Sequence, residues 1–247
     1  MNDVYLYDGK FKSLLILIIE LLKIKKEIVN IKAESYIPSL LDKIVFLDLT
    51  DKTDNLKILN RLPKSALKAA NYVFLSNEED KENIIFDFLK QAFKYKEEVF
   101  RYRNIDSVNK AIKIAKYVSM EAHKLKGFLR FKQIRNKFYY AEIEPTNNIL
   151  EILANHFKSR LSIEPWIIHD LKRKRYAFYD LSKIIYLTEE EVLNLNFKID
   201  SNEEFMEDLW KTFFKAIAIK ERKNLKCQMN FMPKKYWNHL IEMEDKI

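Results

Sequence analysis

The chain has 247 residues, of which 48% are hydrophobic, 13% aromatic and 32% charged. This balance is typical of a folded globular protein of one or two domains, and it excludes disordered and fibrous classes. Only two glycines and one cysteine are present, so glycine-rich phosphate loops, disulfide frameworks and cysteine-ligated clusters are excluded. We therefore expect no cofactor and no bound metal.

The net charge of +8 is unevenly distributed along the chain. Residues 1–104 hold 18 basic and 16 acidic residues, whereas residues 105–247 hold 26 and 20. Eight of these 20 acidic residues lie within 188–208, so the rest of the second half is strongly basic. Such an excess of bases favours a polyanionic partner. Lysines outnumber arginines 35 to 9, which makes the arginines the more informative bases.

The hydrophobic pattern predicts no membrane segment. The longest apolar run, Leu14–Ile19, is far shorter than the roughly 20 residues of a spanning helix. The chain opens without the basic region of a signal peptide. We therefore expect a cytoplasmic protein.

The chain begins with the pattern of a strand followed by a helix. Alternation over Val4–Tyr7 predicts a strand, Asp8-Gly9 predicts a turn, and helical spacing of apolar residues follows over Phe11–Leu22. Pro38 interrupts any helix in the next stretch, where a strand at 44–49 remains open.

Residues 51–126 have an almost wholly helical pattern. Pro63 is placed to start one helix and the capping-box sequence Ser76–Glu79 to start another. Gly127 is placed to stop the last and longest helix. The predicted core stripe of that helix is Ala111, Ala115, Val118, Ala122 and Leu125.

A β-hairpin is predicted next, and charge pairing indicates its register. A three-residue loop, Arg135–Lys137, sets Arg130 opposite Glu142 and collects the apolar side chains on one face. A two-residue loop would mix apolar and charged neighbours. We expect Asn136 or Lys137 to adopt the left-handed conformation.

The rest of the pattern predicts a mixed second half. A helix at 149–160 is followed by strands at 166–170, 176–180 and 183–187, and then by helices that start at the boxes 188–191 and 201–204. The predicted fold class is α+β, with a mainly helical region over 1–104. A basic α+β domain over 105–247 then carries an antiparallel sheet flanked by helices.

Bases and aromatic side chains occur together in the second half, a combination that suits phosphate neutralisation and base stacking. The alternative is that the bases of 172–175 form a solvated hairpin tip, that Trp237 anchors the core, and that Arg160 belongs to a structural ion pair. The predicted nucleic-acid-binding residues are Lys124, Lys126, Arg130, Lys132, Arg160, Lys172, Arg173, Arg175, Arg222, Lys234, Lys235, Tyr236 and Trp237.

Five polar residues on at least four different elements are candidates for chemistry: His123, Glu144, His156, His169 and Asp170. Histidine with carboxylate can form an acid–base pair or a metal site. No pair has the HxH or HExxH spacing that places ligands on one face, so hydrogen-bonding histidines without a shared site remain the alternative. The catalytic candidates are His123, Glu144, His169 and Asp170.

Several segments, in this order along most of the chain, resemble a bacterial family labelled probable DNA metabolism or repair protein, whose biochemical activity is unassigned. These segments are 121–131 (EAHKLKGFLRF), 140–145 (YAEIEP), 155–160 (NHFKSR), 166–170 (WIIHD), 210–217 (WKTFFKAI) and 232–237 (MPKKYW), with Tyr7-Asp8-Gly9 at the start.

The resemblance implies a setting in DNA repair, with a radical-SAM helix-hairpin-helix protein as partner, and a related domain is fused to uracil-DNA-glycosylase-like proteins. It supplies no catalytic residues. Together with the charge, it favours a DNA-binding accessory protein that serves a partner enzyme and leaves the helices of 51–104 for docking. Two alternatives stay open: an enzyme acting on a modified base or nucleotide through the His/Asp/Glu residues, and a scaffold that binds only protein.

Overall fold

The computed structural model describes residues 2–27, 29–47, 54–134 and 138–189, together with Pro233 and Tyr236. The chain separates into two compact units, Met1–Ser119 and Met120–Ile247. In the described part of the chain, no helix combines the length and the apolar composition needed to cross a membrane.

The first unit contains a small parallel sheet. Strand β1 (Asn2–Tyr7) lies between β2 (Asn30–Ala33) and β3 (Asp42–Val45), and both neighbours run parallel to it. Helix α1 (Phe11–Lys23) connects β1 to β2, as a crossover between parallel strands requires. The predicted strand, turn and helix are confirmed, with Gly9 at a φ of +76°. Strand β2 and the parallel pairing were not predicted.

Helices form the rest of the first unit, as predicted. The interior includes Leu14, Leu17 and Ile18 of α1. Every residue of the predicted stripe on α5 is buried, and this helix ends one residue beyond Gly127. The remaining elements are α2 (Asp54–Leu59), α3 (Lys64–Phe74), α4 (Lys81–Tyr95), a 3-10 helix (Lys96–Arg101) and α5 (Asp106–Phe128).

The predicted capping box at Ser76 is wrong. The Ser76 hydroxyl donates to the carbonyl of Val73 at 2.6 Å, so it belongs to the end of α3. Helix α4 begins five residues later, at Lys81. The hydroxyl also accepts from the Glu78 amide at 3.4 Å, so it stabilises a turn between α3 and α4 and does not cap a helix.

Helix α4 is joined to the small sheet by two long-range hydrogen bonds. The buried Tyr7 hydroxyl donates to Glu82 Oε1 at 2.9 Å, and the Ile31 amide donates to Asn83 Oδ1 at 2.9 Å. Because Ile31 lies in the edge strand β2, the second bond satisfies a backbone donor that would otherwise have no strand partner.

The second unit is built on a five-stranded sheet in the order β4-β5-β6-β7-β8, which confirms the predicted α+β class. All neighbouring strands are antiparallel except β5 and β6, which are parallel because α6 connects them as a crossover. The expectation of an antiparallel sheet is corrected for this pair. The elements are β4 (Lys132–Ile134), β5 (Phe138–Ile143), α6 (Leu150–Arg160), β6 (Trp166–Asp170), β7 (Arg175–Tyr179) and β8 (Ile184–Thr188).

The hairpin register is confirmed. Ile134 pairs with Phe138 and Lys132 with Tyr140, which is the register predicted from the sequence. Because β4 begins at Lys132, Arg130 lies before the paired residues. The left-handed residue expected in the hairpin loop, and the helices expected after 188 and 201, lie outside the described residues.

Helix α6 packs against one face of this sheet, in contact with β6, β7 and β8. Phe157 of α6 lies 5.1 Å from Phe131, measured between ring centroids, and Phe131 lies 6.2 Å from Trp166 of β6. Trp166, Ile168 and Ala177 are fully buried on this face. Residues of opposite parity, among them Ile167 and Tyr176, form a smaller cluster on the other face.

The loop that follows β5 is held by a buried carboxylate. Glu121 of α5 is only 4% exposed, and its oxygens accept from the Thr146 and Asn147 amides, both at 2.9 Å. They also accept from the Asn147 side chain at 2.6 Å and from the Tyr236 hydroxyl at 3.0 Å. All four partners donate, so the arrangement requires the ionised carboxylate.

The carbonyl groups of the same loop are held from the other side. Arg173 donates to the carbonyls of Pro145 and Thr146, at 3.2 and 2.7 Å. Its guanidinium is fixed in turn by the fully buried Asp170, at 3.2 Å. The loop therefore has its donors bound by an anion and its acceptors bound by a cation, an arrangement that satisfies both kinds of buried backbone group.

We predict that Glu121→Gln destabilises the protein by about 2–4 kcal/mol, because the new amide would point N–H donors at donors already present. Chemical unfolding measures the effect. Glu151→Gln is the matched control, since Glu151 is exposed on α6 and its loss should cost less than about 0.5 kcal/mol. Equal losses in the two variants would contradict the role assigned to Glu121.

Candidate functional site

A second polar cluster lies on the face of the sheet opposite α6. In the parallel pair β5–β6, Glu142 is in register with His169, and in the antiparallel pair β6–β7, His169 is in register with Tyr176. Tyr140 precedes Glu142 by two residues and so shares its face. We call Tyr140, Glu142, His169 and Tyr176 the His169 cluster.

The hydrogen bonds of the His169 cluster determine where its protons lie. The Tyr140 hydroxyl is 3.0 Å from Glu142 Oε1 and 2.7 Å from His169 Nδ1. A carboxylate can only accept, so the single phenolic proton points to Glu142. Tyr140 then accepts from Nδ1–H of His169. In the neutral imidazole this leaves Nε2 unprotonated, with its lone pair available.

Burial keeps this imidazole neutral. It lowers the pKa of His169 below the ordinary 6.5, and this effect exceeds the opposing influence of Glu142, Asp170 and Glu189. Burial also raises the pKa of Tyr140, and the Glu142 carboxylate raises it further. Both groups are therefore neutral at pH 7, as a base hydrogen-bonded to a phenol requires.

Tyr176 fixes the plane of the imidazole. The two rings stack with centroids 3.9 Å apart and an interplanar angle of 17°. Burial raises the pKa of Tyr176, so the stacking ring stays a neutral phenol. The imidazole is thus restrained by a hydrogen bond at one edge and by an aromatic face, which is the kind of support that general acid–base catalysis uses.

The cluster can accept a proton at Nε2 of His169. The Nδ1 proton can then move to the Tyr140 oxygen while the Tyr140 proton moves to Glu142. Within the described residues, no group of three or more His, Cys, Asp or Glu side chains is arranged to hold a metal ion. The hydrogen-bonded imidazole, phenol and carboxylate support acid–base chemistry, with His169 as the acting group.

The other candidate catalytic residues do not join this cluster. Asp170 follows His169 in β6, so its side chain lies on the opposite face, where it pairs with Arg173. Burial raises the pKa of Asp170 more than Arg173 lowers it. His123 and Glu144 are exposed, on α5 and just after β5 respectively.

His156 lies apart from the other histidines, on α6 between two bases. Burial lowers its pKa, and the positive charges of Lys126 and Arg160 lower it further. Both bases were predicted to bind nucleic acid, and they come from helices separated by more than 20 residues. We call Lys126, His156 and Arg160 the basic patch. Its two bases act on the same imidazole from α5 and α6.

The remaining predicted nucleic-acid-binding residues are in different environments. Tyr236 is 2% exposed and bonded to Glu121, so its ring cannot stack on a base, and Arg173 is occupied by the loop at 145–147. Half-buried bases are Lys124, Arg130 and Lys132, and exposed ones are Lys172 and Arg175. Outside the described residues lie Arg222, Lys234, Lys235 and Trp237.

Sequence reasoning missed Tyr140, Glu142 and Tyr176 as partners of His169. Strand alternation alone could have placed His169 and Asp170 on opposite faces, because 166–170 was already predicted as a strand. Finding Tyr140 and Glu142 required the parallel pairing of β5 with β6, which no local pattern indicates.

Comparison with known families gives one finding. The model of a family described as Domain of unknown function (DUF4130) matches residues 79–242, which is the greater part of the chain. No curated protein matches the chain.

We predict that His169 exists as the Nδ1–H tautomer at pH 7.5 and that Tyr140→Phe mixes the two tautomers, because Nδ1–H loses its acceptor. Nitrogen-15 NMR of labelled histidine measures this directly. Tyr139→Phe is the matched control, since Tyr139 lies on the other face of β5. An Nε2–H tautomer in the unmodified protein would contradict the proton positions given above.

The lowered pKa of His169 also has a consequence for stability. Because the pKa of His169 is lowered on folding, its contribution is fully present above pH 6.5 and is lost as pH falls from 6.5 toward the folded pKa. The difference in unfolding free energy between the unmodified protein and His169→Gln should therefore narrow below about pH 6.5.

Proposed function

We propose that this chain, which belongs to the family described as Domain of unknown function (DUF4130), is a DNA-binding accessory protein in DNA repair or modification. In this proposal it contacts the DNA backbone through the second unit and serves a partner enzyme. The resemblance described above favours a radical-SAM helix-hairpin-helix protein or a glycosylase as that partner.

The observation that carries the proposal is the basic patch. Lys126 and Arg160 are far apart in the sequence and still lie close enough to the same imidazole to lower its pKa. The charges acting on His156 are both positive, so the patch attracts anions. Neither base forms an ion pair with any described residue, which leaves both free to bind phosphate.

Further exposed bases lie at the β6–β7 turn, and one of them is held in an ion pair. Lys172 and Arg175 are exposed, whereas Lys174 pairs with Glu189 at 3.0 Å. We therefore assign phosphate contacts first to Lys126 and Arg160, and next to Lys172 and Arg175. Tyr236 and Arg173 are not assigned phosphate contacts, because Tyr236 is bonded to Glu121 and Arg173 is bonded to the loop at 145–147.

We predict that the double variant Lys126→Gln/Arg160→Gln binds duplex DNA about tenfold or more weakly near 0.1 M salt, because two phosphate contacts are lost. The slope of log K against log salt should fall in magnitude by about two. Fluorescence anisotropy with labelled single-stranded, duplex and uracil-containing DNA measures both quantities.

Lys12→Gln/Lys64→Gln is the matched control, because it removes the same charge from exposed positions of the first unit. Its affinity should stay within about twofold of the unmodified protein. Equal weakening in both double variants would assign binding to net charge and overturn the patch. No binding of any DNA at low salt would overturn the proposed function.

A second candidate function is favoured by the His169 cluster: an enzyme acting on a modified base or nucleotide. A neutral imidazole with its Nε2 lone pair available and a phenol–carboxylate relay behind it is suited to remove a proton from water or from a substrate. The geometry in its favour is the 2.7 Å contact between Tyr140 and His169 Nδ1.

For this second candidate we predict that His169→Gln abolishes turnover of lesion-containing DNA, while Tyr140→Phe lowers it by about 10²–10⁴-fold. Both should leave DNA affinity unchanged. Chromatography of released bases measures the reaction. If the unmodified protein releases no base, or if His169→Gln remains fully active, the enzymatic candidate is discarded and the accessory role stands alone.

A further inference from the structure

We infer that a cavity in the first unit binds a small organic anion with an apolar body. The cavity has a volume of about 290 Å³ and lies among α1, α2 and α4. Its apolar lining is formed by Ile19, Leu22, Ile58 and Phe93, and its basic lining by Lys23, Arg61 and Lys90.

The three bases differ in how far their charge is already neutralised. Lys23 donates to Glu20 at 2.9 Å, and Lys90 is within electrostatic range of Asp87. Arg61 is exposed, and its guanidinium has no acceptor among the described residues. Arg61 is therefore the base best placed to bind an added anion, with Lys90 and Lys23 contributing to the field around it.

The composition of the lining selects the class of ligand. Four apolar side chains favour an aromatic or short alkyl body, and three cations on the same cavity favour one carboxylate, sulfonate or phosphate. A purely apolar ligand would leave the bases unused, and a purely ionic one would leave the apolar surface in water. The volume is near the lower limit of about 300 Å³ for ligand pockets, which fits a small molecule better than a helix or a nucleic acid.

The test uses two dyes on the full-length protein. Anilinonaphthalene sulfonate has an aromatic body and one anionic group, and N-phenylnaphthylamine has the same body without the charge. We expect one saturable sulfonate site, which octanoate displaces. Arg61→Gln/Lys90→Gln should raise the dissociation constant for the sulfonate by about tenfold and leave that for the neutral dye nearly unchanged.

Lys12→Gln/Lys64→Gln is the control for net charge, because it also removes two charges, from exposed bases that do not line the cavity. It should alter sulfonate binding by less than about twofold. If Arg61→Gln/Lys90→Gln binds the sulfonate as tightly as this control does, or if both dyes lose affinity equally, the anion site is overturned.

Leu22→Trp provides a second, steric test, since the larger ring should fill the cavity and abolish binding of both dyes. Melting curves show whether this variant folds, and the charge variants decide the matter if it does not. The result is independent of DNA binding, because every altered residue lies in the first unit. DNA titrations of the same proteins therefore separate failure of this inference from failure of the proposed function.

Discussion

The second unit depends on one buried carboxylate. Glu121 binds the amides of Thr146 and Asn147 and the hydroxyl of Tyr236, while Arg173 binds the carbonyls of the same loop. This loop joins β5 to α6, so its conformation determines where α6 begins and how the chain returns for β6. An unpaired charge buried at this depth would cost several kcal/mol, so removing one charged partner should destabilise the whole network.

Several residues of the segments that carry the family resemblance belong to this same network. Glu121, Pro145, Asp170 and Tyr236 come from four of the segments that carry it, and the structure brings them to one loop. From the sequence alone, the polar residues of these segments suggest a functional site. These four residues hold the loop and so account for part of the fold of the unit, whereas Tyr140, Glu142 and His169 of the same segments belong to the His169 cluster.

Local pattern was sufficient for much of this fold and insufficient for its long-range pairings. The strand at 166–170, the hairpin register and the stripe on α5 all follow from alternation, helical spacing and charge pairing within short windows. The capping box at Ser76 was wrong because this hydroxyl binds the Val73 carbonyl and the Glu78 amide in a turn, and α4 begins only at Lys81. The parallel pairs β1–β2 and β5–β6 depend on crossovers that no short window contains, and Tyr140 and Glu142 were missed as partners of His169 for that reason.

In the second unit, the basic patch and the His169 cluster lie on opposite sides of the sheet. His156 and Arg160 lie on α6, which covers the face of the sheet that carries Trp166. His169 projects from the opposite face, so the sheet and the helix stand between the basic patch and Nε2. A nucleotide held at the patch is therefore not presented to His169, and a substrate of His169 needs its own approach. This arrangement favours a binding role that is complete without catalysis, with acid–base chemistry at His169 as a separate property to be established by itself.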